Sequence, residues 1–176
     1  LITEISEINN SETINITTLS PDLIINSANW TPENPKQDET VTFSVNISNI
    51  GPGNAVNTFL VPTVNDNEEL DPVPIAPLAA GGNVTASFSY VVKTGEYILS
   101  FAIDPNDTVV ETDESNNALI LALPPILPDL VVQDISWLPE DPSIGDPVTF
   151  SVVIINQGFS ASLPGRFSYY IDGLTS

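Results

Sequence analysis

The chain has 176 residues and carries three basic side chains (Lys36, Lys93 and Arg166) against 23 acidic ones, for a formal net charge of −20 with no histidine. Nucleic acid and anionic lipid both require a basic surface and are poor partners for such a chain, whereas divalent cations, cationic surfaces and salt-rich water are compatible with it. The absence of cysteine excludes disulfides, thiol nucleophiles and thiolate metal sites.

Strand signals dominate from the first residues onward. Residues 1–20 read as the last strand of a preceding unit, with Ile14 and Ile16 on alternate positions. Leu1 is not an initiator methionine, so the N-terminus is expected to be processed or cut, with any anchor lying outside these residues. No run of 18 apolar residues occurs, so no membrane insertion is expected in this segment. A strand is expected over residues 22–30. In residues 40–50, Val41, Phe43, Val45 and Ile47 alternate with Thr42, Ser44, Asn46 and Ser48, the period of a half-buried antiparallel strand. Further strands are expected over 56–64, a short one near 70–75, then 84–92, 97–103 and 118–123, punctuated by Gly81-Gly82-Asn83 and Thr94-Gly95. Sixteen prolines and the lack of helical periodicity argue against helices. Seven short strands in about 100 residues read as an all-β, immunoglobulin-like seven-stranded β-sandwich.

The pattern then repeats with an offset of 107. PDLIINSANWTPENP (residues 21–35) returns as PDLVVQDISWLPEDP (128–142), and DETVTFSVNISNIG (38–51) returns as GDPVTFSVVIINQG (145–158). EISEINN (4–10) stands at the same offset from ETDESNN (111–117). The organisation expected is tandem: residues 1–20 as a last strand, or a donor strand to a neighbouring subunit; 21–127 as a complete sandwich; 128–176 as the first half of another. The proline-rich link at 124–128 (PPILP) is expected to be stiff and to set a reproducible angle between units. Either the chain is a slice of a longer array, or its ends are completed by other copies of itself, head to tail through residues 1–20 and 129–176.

The densest polar cluster, residues 103–117, supplies oxygen donors from Asp104, Asn106, Asp107, Glu111, Asp113 and Glu114. Calcium binds six to eight such oxygens in flexible loops. The spacing is not that of an EF-hand, and the competing reading is a structural turn in which Asp and Asn bond nearby backbone amides. E-x-x-E-x-N-N persists in both copies, so Glu111, Glu114, Asn116 and Asn117 are expected to hold a turn, with no cofactor required and calcium as the alternative role. Six glycosylation sequons begin at Asn9, Asn15, Asn29, Asn46, Asn83 and Asn106. Trp30 and Trp137 occupy matching places and are expected to cap a sandwich rather than stack on sugar rings. Neither His nor Cys accompanies the carboxylates in a constellation able to act as general acid and base, so the chain is read as not an enzyme.

The opening PDL, the P-x-x-P after Trp30, D-E-T-V-T-F-S-V-x-I-x-N-x-G, LAAGG (78–82), GEY (95–97) and D-P-N…VVETDESNN resemble the CARDB domain, a cell-adhesion-related immunoglobulin-like module of bacteria and archaea. The resemblance spans residues 21–127 and the partial copies on either side. It implies tandem sandwiches in secreted or surface-anchored proteins without catalysis of their own. The function expected is a stalk, surface lattice or filament building block at the cell surface. The alternatives are a module recognising a glycan or a cell-surface protein, and an accessory to a larger secreted enzyme.

Overall fold

The computed structural model describes residues 12–16 and 18–170. The architecture is all-β, with no helix among the described residues. One sheet is built from β1 (Leu23–Thr31), β2 (Thr40–Asn49) and β6 (Asn83–Val91), in the order β1-β2-β6. The other carries β3 (Thr58–Val64), β4 (Glu68–Glu69), β5 (Val73–Ile75), β7 (Ile98–Ile103) and β8 (Ala118–Ala122), in the order β4-β3-β7-β8 with β5 also on β3. All pairs are antiparallel. The chain changes sheets after β2, after β5 and after β6, which gives a sandwich rather than a meander.

The alternation of β2 explains the core. Val41, Phe43, Val45 and Ile47 are wholly buried, and they face Leu60, Leu99, Phe101 and Ile103 from the other sheet. Each such side chain contributes roughly 1.5–3 kcal/mol by leaving water. Phe43 stacks on Phe88 at a centroid distance of 5.1 Å, and Phe88 leans on Phe101 at 6.1 Å. The intervening residues make an uncharged polar outer face. On it Thr42 and Ser89 lie 3.1 Å apart across the strands, and Asn26 donates to Asn46 (2.8 Å) and Ser48 (2.6 Å).

The strand expected near residues 70–75 is β5, over Val73–Ile75 alone, and the two-residue β4 before it was not expected, so the first sandwich carries eight strands where seven were expected. The break falls at Asp71-Pro72: proline has no N–H for the ladder, so β4 and β5 pair with β3 on either side of it. The turn from β3 to β4 is tight because Asn65 (φ 50) and Asp66 (φ 57) both adopt left-handed backbone, as a type I′ turn needs. Asn65 also anchors the start of β7, accepting from the Ile98 N–H at 2.8 Å.

β9 (Leu130–Leu138) and β10 (Thr149–Asn156) reproduce β1 and β2 at the 107-residue offset. Leu130 faces Asn156 as Leu23 faces Asn49, and the bulge after Val132 matches the one after Ile25. The inner faces differ in cover. Phe150 and Ile154 are 51% and 46% exposed, where their counterparts Phe43 and Ile47 are at 0%. Residues 12–16 and 18–20, expected within a last strand, lie outside any strand, with Ile14 and Ile16 exposed. The rest of that expected strand, residues 1–11 and Thr17, lies outside the described residues.

Candidate functional site

The polar side chains that the fold buries form three knots at one end of the sandwich. Asn49 follows Ile47 at the inward parity of β2 and is fully buried. All four of its hydrogen-bonding positions are used. Oδ1 accepts from the Asp22 N–H (3.0 Å) and the Gly51 N–H (3.1 Å), and Nδ2 donates to the carbonyls of Gly53 (2.8 Å) and Leu78 (3.0 Å). Gly51 is obligatory here, since a Cβ would stand 2.5 Å from the backbone of Pro21 and Asp22. Asn156 repeats the clamp, accepting from Asp129 (3.0 Å) and Gly158 (3.1 Å) and donating to Ser160 (2.8 Å).

Asp104 ends β7 with left-handed backbone (φ 50) and turns its carboxylate inward. Oδ1 accepts from the hydroxyls of Thr58 (2.6 Å) and Thr108, and Oδ2 from the Val109 N–H (2.7 Å). Burial pushes this carboxyl up, but donors from Thr108, Thr58 and Val109 outweigh it and hold it below the usual carboxylate range.

Glu111 closes the third knot. Its carboxylate accepts from the Leu23 N–H at the start of β1 and from Asn117 Nδ2 (3.0 Å). Glu114 accepts from the Glu111 N–H (2.8 Å), the Thr112 N–H donates to the Pro21 carbonyl (2.9 Å), and Asn116 donates to Asp22 (2.9 Å). The E-x-x-E-x-N-N segment thereby ties the loop between β7 and β8 to the first strand. Burial drives Glu111 above its ordinary value against the pull of the Leu23 and Asn117 donors. Asp113 turns back on Ser115, accepting from its N–H (2.9 Å) and its hydroxyl (2.6 Å).

These bonds decide what the six expected oxygen donors can do together. Asp104 and Glu111 spend their oxygens on protein donors, Asp113 and Glu114 on their own turn, and Asn106 and Asp107 are exposed. Among the described residues no three acidic, histidine or cysteine side chains converge on one point. Asn116 and Asn117 each keep a buried carbonyl oxygen without a partner.

The sequons at Asn15, Asn29, Asn83 and Asn106 are on exposed backbone, Asn46 is half-buried on the outer face of β2, and Asn9 lies outside the described residues. Trp30 packs against the core and donates to the Glu33 carbonyl (3.1 Å), and Trp137 donates likewise to Glu140 (3.3 Å). Both indoles are thus engaged by the turn that follows them. Lys93 pairs with Asp38 at 2.5 Å on the surface, which holds that carboxyl below its ordinary value. A shallow groove of about 590 Å³ runs along the outer face of β3 and β7, lined by Phe59, Val61, Ser100, Ala102, Pro105 and Asn106. No helix among the described residues is long and apolar enough to cross a membrane.

The Asn49 clamp was the residue-level feature hardest to anticipate. Its signal is an amide at the inward parity of an apolar strand, two residues before a glycine, in both copies.

The comparisons with known proteins agree with this architecture. The CARDB domain of a Pyrococcus furiosus protein, crystallised in complex with di-metal ions, superposes with a TM-score of 0.55 at 20% identity, covering 61% of this chain and 96% of that one. The solution structure of the same Pyrococcus domain gives 0.54 at 20% identity, covering 60% and 95%. A domain of a Methanosarcina acetivorans protein whose name places it at the cell surface gives 0.52 at 24% identity, covering 60% and 91%. No curated protein matches the chain. The CARDB family model matches residues 20–120, more than half of the sequence and the span that holds all three knots, and the chain therefore belongs to the CARDB family.

Proposed function

We propose that this chain is a non-catalytic structural module of an extracellular or cell-surface protein, in which CARDB sandwiches follow one another as a stalk, lattice or filament subunit. The observation that carries this reading is the second unit. β9 and β10 repeat β1 and β2 pair for pair, bulge included, directly after the first sandwich ends. The buried carboxylates point the same way, because Asp104 and Glu111 bond backbone and hydroxyl donors instead of opening on a cleft. The inner face of β2 is covered by the sheet of β3, β4, β5, β7 and β8, and an equivalent sheet would cover the open face of β10.

Electron micrographs of native surface material labelled with an antibody to this chain should show extended rods or threads. Labelled single globules free of any surface structure would overturn the reading. The binding alternative is favoured by one observation, the groove beside the exposed ring of Phe59. Retention on a glycan array, lost in Phe59→Ser, would establish it. The exposed sequons make the module a candidate glycoprotein, which intact mass before and after deglycosylation decides.

A further inference from the structure

We propose that the first sandwich and the unit after it form a rigid joint, built from a linker without slack and a second contact that closes the hinge. The inference rests on the serial reading above and names the surface through which one sandwich fixes the next. Ile126 is fully buried and exchanges both backbone hydrogen bonds with Gly95 of the first sandwich (3.0 and 2.8 Å). The very next residue is held by the second unit, because the Leu127 carbonyl accepts from the Phe159 N–H at 2.9 Å. Asp129 follows, donating to Asn156 Oδ1 (3.0 Å) and accepting from the Gln157 N–H (2.8 Å). Two adjacent residues are thus gripped by two different bodies, and only the torsions between them are free. Pro128 removes one of the nearby freedoms and restricts Leu127 before it. Gly158 makes the grip possible, since a Cβ there would stand 2.4 Å from the Leu127 carbonyl oxygen and the Asp129 nitrogen.

The second contact is far away in sequence. Gln37, in the loop between β1 and β2, donates its N–H to the Phe159 carbonyl (2.9 Å) and accepts from the Ala161 N–H through Oε1 (3.1 Å). Phe159 packs against the hydrophobic core of the first sandwich, and Ser160 beside it is buried. A body fastened at both Gln37 and Ile126 cannot swing about either one. The plug is particular to this joint. Where the second unit has Phe159-Ser160, the first has Pro52-Gly53; Pro52 has no amide to donate, and Gly53 bonds the Ser20 carbonyl instead (3.0 Å). The end surface carrying Gln37, Gly95 and Ile126 therefore fits a following CARDB sandwich with an aromatic residue after its second-strand glycine.

The chain has no cysteine, so a Thr85→Cys/Ser151→Cys pair labels one exposed site on each unit without background. Double electron–electron resonance on the spin-labelled chain should give one narrow distance population. Adding Gln37→Ala, which removes the Oε1 acceptor, and Phe159→Ala, which removes the ring that packs on the first sandwich, should broaden it at least about twofold, as flexible tethers do. Insertion of Gly-Ser-Gly between Ile126 and Leu127 should broaden it as well, and it decides the matter should the double variant fail to fold. A broad distribution in the parent chain, or one that neither change widens, overturns the rigid joint. Either result would leave the serial reading to the micrographs, so the two fail separately.

Discussion

Asn49 shows how one polar side chain can organise the end of a sandwich. Its amide holds the N–H groups of Asp22 and Gly51 and the Gly53 carbonyl, and gives the Leu78 carbonyl a second donor beside the Ala55 N–H. Asn49→Ala should therefore lower stability by about 3 kcal/mol, since several backbone groups are orphaned together. Asn49→Asp should be no better, because it sets a carboxylate oxygen against the Gly53 and Leu78 carbonyls. Urea unfolding checks both, and a loss below about 1 kcal/mol for the alanine variant would remove the clamp from the account. Asp104 and Glu111 should shape the pH profile in opposite senses. Asp104 is depressed below 3.8 in the fold, so its stabilisation is present above that value and lost as pH falls through the lower folded one. Glu111 is raised above 4.5, so its contribution is full below 4.5 and lost as pH rises through the folded value. Thermal melts from pH 3 to 7 should show Asp104→Asn weaker at neutral pH with a flatter acid limb, and Glu111→Gln losing less toward neutrality than the parent.

At the scale of elements, the strands follow from alternation and the breaks from turn chemistry. β2, β3, β6 and β7 stand where period two places them, because each buries one face and leaves the other to water. The division into β4 and β5 was harder to read, since a two-residue strand has no periodicity and Pro72 marks only where pairing must fail. Tyr90 supplies a link that strand patterns do not reveal. Its hydroxyl on β6 donates to Glu68 on β4 (2.9 Å), bridging the two sheets, and burial followed by that carboxylate pushes the phenol up to about 12. Tyr90→Phe should cost about 1 kcal/mol in denaturant unfolding. It should also remove the ionisation at about 12 from an alkaline absorbance titration. Phe43→Ala, which opens the stacked aromatic centre, should cost about 3–5 kcal/mol by the same unfolding measurement.

For the whole molecule, the net charge of −20 is set against a single ion pair among the described residues, Lys93 with Asp38. Self-repulsion should destabilise the compact state at low ionic strength, so the melting temperature should climb with added sodium chloride and then level off as screening saturates. Calcium at equal ionic strength should add little. The carboxylates of Asp104 and Glu111 already accept from protein donors, and a chelator should leave the melt unchanged. A clear upward shift specific to calcium would show instead that the 103–117 loop reorganises around the ion.

The sequence by itself determined the sandwich class, the inward set of β2 and β7, and the 107-residue register, because alternation and repetition are local properties of the chain. It also marked E-x-x-E-x-N-N as a turn candidate, although it left open whether those oxygens would face a cation or the backbone. What only the tertiary structure supplied is the donor to Glu111 from the Leu23 N–H, which is 88 residues away. The same holds for the joint. PPILP announced a stiff link, but the absence of slack depends on Gly95 and Phe159 gripping adjacent residues from opposite sides. The closing contact joins Gln37 to Ala161, 124 residues apart, and no local pattern encodes a meeting that exists only once both sheets have packed.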